Sequence, residues 1–220
     1  VKFDYSGWQN FKTALSLSRF DFRFIIRNWA FIVIAFVGLL FLAPFAPFII
    51  LAIKLESPGP AIIKLERVSQ GRVIKVYKFR SMIKDAQKLK PTLASLNERR
   101  DGSFFKIKND PRITKTGRLL RKFRLDEFPQ LINVLKGELS LVGPRPHEPG
   151  EVAAYPPEFK KLIFAKAGVT GLSQINGASS LPYLKELIMD SYYLKNQSFW
   201  LDSKIIVKTI LVLFFEPTAL

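Results

Sequence analysis

NWAFIVIAFVGLLFLAPFAPFIILAI, residues 28–53, decides how the rest of this chain is read. It holds no charged side chain, and Arg27 and Lys54 bound it. At about 1.5 Å per residue, a helix of this length reaches across a hydrocarbon core of about 30 Å. The run is too long for a cleavable signal, and no small-residue cleavage site precedes a mature domain. Pro44 and Pro47 fall near its middle, where each removes a backbone donor and kinks a helix. The carbonyls freed around residues 40–43 then need protein or interfacial water as partners.

The flanks bear on orientation. Lys2, Lys12, Arg19, Arg23 and Arg27 precede the run against Asp4 and Asp21, and a strongly basic remainder follows it. The positive-inside rule asks both flanks to stay on one side. A helix that dips in and returns at the prolines meets that demand; a spanning helix with a proline kink is the other reading of the same residues. The C-terminal run Ile205–Phe215 is too short to span and contains Lys208, so it reads as an interfacial or core-docking helix. Tyr192, Tyr193 and Trp200 beside it suit either an interface or a core.

Charge and composition narrow the chemistry. The 220 residues include 34 Lys and Arg against 18 Asp and Glu, a net charge of +16, which predicts polyanionic partners: phosphates, anionic lipid or nucleic acid. The absence of cysteine excludes a disulfide framework, a thiolate zinc site and a thiol nucleophile. One histidine, His147, excludes a two-histidine metal site. The apolar fraction of 48% and the 20 phenylalanines suffice for a packed core, and the length allows one domain plus a membrane element, or two small domains.

Past the rigid turn Ser57-Pro58-Gly59-Pro60, two β-branched and aromatic runs, Ala61–Val68 and Arg72–Phe79, flank Ser69-Gln70-Gly71 and predict a β-hairpin. Met82 to about Arg100 has helical period, interrupted by Pro91. Asp110 and Pro111 read as the N-cap and first residue of a helix. Lys115–Phe123 is basic and amphipathic.

The chemistry concentrates in Arg124-Leu125-Asp126-Glu127-Phe128-Pro129-Gln130-Leu131. Two adjacent carboxylates in a cationic chain can hold a divalent metal, and one can attack phosphorus; a capping pair is the plain alternative. Pro129 is tolerated only in a first turn, which places the acids at the start of a helix through Leu135, where free amides favour carboxylate and phosphate. Gly143-Pro144-Arg145-Pro146-His147 follows, with Arg145 presented at low entropic cost between two prolines and shaped for bidentate phosphate recognition. An incidental arginine in a proline-rich loop reads equally well. His147 is either a proton shuttle or a loop bystander. Gly168–Gly177 is a Gly-punctuated polar loop, either approaching a phosphate or simply turning.

Tyr77-Lys78-Phe79-Arg80-Ser81-Met82, Asp110-Pro111-Arg112-Ile113-Thr114, Leu125–Leu131, Ser140–Pro146, Gly168–Gly177 and Asp202–Thr209 resemble, in order and spacing, the bacterial sugar transferases, the small monotopic phosphoglycosyl transferases. The resemblance covers roughly residues 27–212 and implies a bacterial inner-membrane enzyme with its site on the cytoplasmic face and Mg²⁺ dependence. It implies transfer of a sugar 1-phosphate from a UDP-sugar to polyprenol (undecaprenyl) phosphate, with release of UMP, through a covalent aspartyl phosphosugar. Membrane lipid and these two substrates are the implied partners, and nucleic acid is not. Carried over residue by residue, Asp126 is nucleophile and Mg²⁺ ligand, Glu127 is its acidic partner, and Arg145, Arg80, Arg112 and Gln174 bind substrate. Pro44, with Pro47, marks the helix break. Two positions depart from the family pattern: Ala43 stands where a serine is usual, and Ala178 where an arginine is usual.

The expected architecture is therefore α+β and helix-rich. A basic interfacial segment (1–28) precedes a proline-broken re-entrant membrane helix (29–56), a compact catalytic domain with a β-hairpin on the membrane surface (57–204), and an apolar interfacial helix (205–220). The rival is a membrane-anchored basic scaffold that binds anionic lipid or nucleic acid without catalysis, or an inactive relative.

Overall fold

The computed structural model describes residues 22–98, 102, 105, 107, 109–177 and 181–215, so most of the basic segment 1–28 and the departure at Ala178 lie outside the described residues. The chain is mixed helix and sheet, rich in helix, with one small antiparallel hairpin and a short parallel strand pair. Its apolar run forms two helices, α1 (Phe22–Leu42) and α2 (Ala46–Glu56). They meet at 63° across a three-residue break. Pro44 lies in the break, and Pro47 sits in the first turn of α2, where its missing N–H costs nothing. With alanine at position 43, the backbone closes the bend: the Ala43 and Phe45 amides donate to Leu39 and Leu42. Among the described residues no single helix is long and apolar enough to cross a membrane, whereas the bent pair is by length and composition.

One face of α1 belongs to the main core. Phe31 and Ala35 pack in one cluster with Leu131, Val134, Val142 and Ile205. A Cβ added at Gly38 would stand 2.8 Å from Leu131 Cδ1, so glycine permits the close approach of α1 to the helix bearing Leu131. The opposite face exposes Trp29, Val33, Phe36, Val37, Leu40 and Phe41, and α2 exposes Phe48 and Leu55.

Both ends of the bent pair are tied to the same body. At the start, Arg27 pairs with the buried Asp202 at 3.6 Å. At the end, Glu56 accepts from the Lys115 and Thr116 amides at 2.5 and 2.8 Å, a carboxylate on a helix N-terminus. Arg80 adds to this by donating to the carbonyl of Ile53 in the last turn of α2 and to those of Ser57 and Pro58 just past it.

The expected hairpin is present as β1 (Ile62–Ser69) and β2 (Arg72–Phe79), paired from Ile62↔Phe79 to Ser69↔Arg72. Its two-residue turn has Gln70 at φ 53° and Gly71 at φ 71°, the left-handed pair that matches strand twist. Two expectations fail nearby. Met82–Arg100 forms no α-helix in its described part, only 3₁₀ turns at Ala86–Leu89 and Ala94–Leu96, since Pro91 and the left-handed Asp85 break the periodic stretch. The helix expected at Asp110 starts later, as α3 (Lys115–Lys122), capped by Thr114 Oγ1 accepting from Gly117 N at 2.9 Å. Asp110 caps nothing because Arg112 takes both its carboxylate oxygens.

A 3₁₀ turn (Leu125–Glu127) then leads into α4 (Gln130–Leu135), which Gly137 at φ 74° ends. Strand β3 (Ser140–Val142) runs parallel to β4 (Gly168–Thr170), with α5 (Pro149–Ala153) and a 3₁₀ segment between them. The chain continues through α6 (Leu172–Ile175), α7 (Tyr183–Lys195) and α8 (Phe199–Phe215). The structure divides the aromatics of the last two helices: Tyr193 is core, and Tyr192 and Trp200 face outward. Helix α8 docks through Ile205 and Val212 while exposing Val207, Ile210 and Leu211.

Candidate active site

A left-handed residue aims the acid pair. Arg124 has φ 52°, which turns the chain sharply after α3, and Pro129 launches α4 four residues after Leu125. Asp126 and Glu127 are thereby presented to a cleft of about 600 Å³ between the hairpin, the acid turn and the loop after β3. Arg80, Arg112, Arg145 and Gln174 line the same cleft, so one cavity collects every side chain singled out for catalysis or substrate binding.

The two acids have opposite electrostatics. Burial pushes the Asp126 carboxyl above the ordinary carboxylate range against the pull of Lys78, and the charge of Glu127 adds to the rise. Burial acts the same way on Glu127, but Lys78, Arg145 and Arg124 outweigh it and hold that carboxyl at about 2. The Lys78 ammonium lies 2.6 Å from Glu127 Oε1. Environments that drive neighbouring titratable groups apart are characteristic of functional sites.

The predicted cations differ in availability. Arg145 reaches the cleft with its side chain about 30% exposed, its Nε 3.7 Å from Glu186 Oε1 and its backbone amide on Asp190 Oδ2 at 3.0 Å. Arg112 is buried, chelated by Asp110 at 2.6 and 2.9 Å and bonded to the Ala86 carbonyl. Arg80 is engaged by the carbonyls that follow α2. Those two arginines shape the cleft wall more than they offer free donors. Gln174 is buried with Nε2 on the Val169 carbonyl, and its Oε1 has no hydrogen-bond partner among the described residues.

His147 is no bystander: it is buried, bonded to the Tyr155 hydroxyl through Nδ1 and to Glu186 through Nε2 at 3.1 Å. Lys78, Glu186 and Asp190 were not singled out from the sequence. Strand period would have found Lys78, because Val76 and Lys78 alternate onto the cleft face of β2 and Arg80 follows just past its end. Glu186 and Asp190 lie one helical turn apart on a buried face, a spacing that only a located helix makes informative.

The Mg²⁺ that the resemblance implies can be tested against the donors present. No group of three acidic or histidine side chains placed to hold a metal ion occurs among the described residues. Magnesium usually takes one or two carboxylates and fills its shell with water and substrate phosphate. Asp126, with the Glu127 oxygen that Lys78 does not occupy, fits an ion shared with a phosphate and not an all-protein cage.

These features define a class: a helix-rich body with a bent apolar helix pair and a basic cleft built around two carboxylates. The sequence model of the bacterial sugar transferase family matches residues 22–216, and the chain belongs to that family. It is 41% identical over 187 residues to galactosyl transferase CpsE of Streptococcus agalactiae, covering 84% of this chain and 41% of that protein. It is 45% identical over 155 residues to undecaprenyl-phosphate galactose phosphotransferase of Salmonella typhimurium, covering 69% and 33%. It is 40% identical over 185 residues to exopolysaccharide production protein PSS of Rhizobium leguminosarum, covering 79% and 87%. The chain thus spans about two fifths of the first relative, one third of the second and most of the third.

Proposed function

We propose that this chain is a phosphoglycosyl transferase that moves a sugar 1-phosphate from a UDP-sugar to polyprenol phosphate and releases UMP. The observation that carries the reading is the split acid pair, with Asp126 buried beside an ionised, Lys78-bound Glu127 in a cleft that Arg145 enters. A lipid- or nucleic-acid-binding scaffold needs basic surface only and has no use for a buried carboxylate at the base of a cleft.

Asp126 in its ionised form attacks the sugar-linked phosphorus of the donor, the bond to the bridging oxygen breaks, and UMP carries that electron pair away. An oxygen of the polyprenol phosphate then attacks the same phosphorus, and the Asp126 carboxylate leaves. The product is a polyprenol diphosphate sugar. Arg145 presents a planar fork to the phosphate charge that grows as the bond breaks. Lys78 keeps Glu127 ionised, so that it can share a cation with Asp126. Mg²⁺, when bound, would neutralise phosphate oxygens and let a carboxylate approach.

The membrane part follows from the ties at both ends of the bent pair. Arg27–Asp202 and Glu56–α3 hold its entry and exit on one globular body, which supports a re-entrant path over a crossing. A lipid acceptor would then meet Asp126 without leaving the interface. Lys2→Cys and Pro60→Cys should label from the same side of sealed vesicles; labelling from opposite sides sinks the re-entrant path. For the chemistry, purified protein with Mg²⁺, polyprenol phosphate and a panel of UDP-sugars should release UMP, and Asp126→Asn should abolish release while remaining folded. Release by the variant at the wild-type rate would refute Asp126 as nucleophile.

A further inference from the structure

Two buried acids of α7 grip one arginine. Glu186 and Asp190 are each about 1% exposed and one helical turn apart. Asp190 Oδ2 accepts the Arg145 backbone amide at 3.0 Å, and its Oδ1 takes the Ser173 hydroxyl at 2.7 Å. Glu186 Oε1 faces Arg145 Nε at 3.7 Å and His147 Nε2 at 3.1 Å, while the Tyr155 hydroxyl fixes the other ring nitrogen. The grip therefore engages the Arg145 backbone amide and approaches its guanidinium from the Nε side.

Burying carboxylates costs stability that apolar side chains of the same volume would not. Here both acids meet the same arginine, which opens onto the cleft. We infer that Glu186, braced by His147 and Tyr155, is a positioning residue that orients the Arg145 fork toward a diphosphate in the cleft. Asp190 sets the backbone from which that fork projects. The inference rests on the proposed function only for the identity of that diphosphate. The logic matches the outer-shell partners that orient a ligand-binding group, whose loss typically lowers affinity or activity about 10- to 100-fold.

The test is a double-mutant cycle with Glu186→Gln, which keeps shape and hydrogen bonding, and Arg145→Ala. Two probes are used: Mg²⁺-UDP and inorganic pyrophosphate binding by calorimetry, and UMP release where a UDP-sugar turns over. The expected result is that Glu186→Gln weakens binding or lowers kcat/KM about 10-fold or more in the wild type, and less than about 2-fold when Arg145 is already alanine. The melting temperature of each variant separates a folding defect from a positioning one. His147→Gln should give a smaller loss with the same dependence on Arg145. Equal losses in both backgrounds, or no loss at all, overturn the inference. Coupling in pyrophosphate binding without UMP release from any donor leaves the inference standing and refutes the proposed transferase activity. Failure to bind either probe refutes both.

Discussion

Replacing Asn133 with alanine should cost about 4 kcal/mol of stability and lower activity beyond the loss of folded protein. Asn133 is fully buried on α4 and stands where a third strand would pair with β2. Its Oδ1 accepts the Tyr77 amide at 3.0 Å, and its Nδ2 donates to the Lys75 carbonyl at 2.9 Å and to the Glu138 carboxylate at 2.6 Å. A neutral hydrogen bond is worth about 1 kcal/mol net and one to a charged group about 2 kcal/mol, which gives the sum. For a chain of this size, about 2–4 °C per kcal/mol translates this into a fall of about 8–16 °C in the melting midpoint. Asn133→Asp should be no better, because it keeps the Tyr77 acceptor, loses both donors and sets one carboxylate against another. The functional consequence runs through geometry, since β2 carries Lys78 and the same edge anchors the strand to the helix that follows Glu127. Thermal unfolding in detergent, followed by near-UV circular dichroism, measures the first effect, and UMP release per folded molecule measures the second. A cost below about 1 kcal/mol for alanine, or full tolerance of aspartate, would refute this account of how the hairpin is held.

Further outcomes follow from the site. Lys78→Met removes the main cation holding Glu127 at about 2, so Glu127 should titrate higher and the acid limb of the pH–rate profile should move up. In the wild type a depressed carboxyl adds stability at neutral pH that is lost as pH falls toward about 2, so this variant should also be less stable at pH 7 by denaturant titration. Asp190 has the opposite sign. Burial drives it up to about 6 against the Ser173 hydrogen bond, the nearby His147 and the Arg145 amide, with Glu186 adding to the rise. Its contribution to stability is complete below about 4 and lost as pH rises through about 6, a span worth about 3 kcal/mol. Asp190→Asn should therefore gain stability relative to the wild type between pH 4 and pH 7.5; a pH-independent difference in denaturation midpoint would contradict the raised value.

Local physics reached some elements from the chain alone. The two prolines dictate a bend because each deletes a helical donor, and a two-residue turn ending in Gly71 dictates the hairpin because few residues tolerate its positive φ. Asp126-Glu127 before Pro129 could be placed at a helix start for the same reason, and its charge contrast marked it as chemistry. The Met82–Arg100 stretch misled because hydrophobic period is a statement about faces, and Pro91 with the left-handed Asp85 breaks the backbone that would carry the period over its described part.

What the linear order could not carry is how long-range partners divide the charges. Arg80 and Arg145 look alike in sequence, each beside a structured turn, yet the first is engaged by carbonyls past α2 and the second opens onto a cleft. Glu186 and Asp190 are 41 and 45 residues from Arg145 and acquire their role only when α7 docks behind its loop. Backbone sterics act between neighbours and can be read residue by residue. Burial, pairing and proton affinity depend on what the whole fold brings within a few ångströms, and these turn a basic, bent-helix chain into a site with one raised acid, one ionised acid and one aimed arginine.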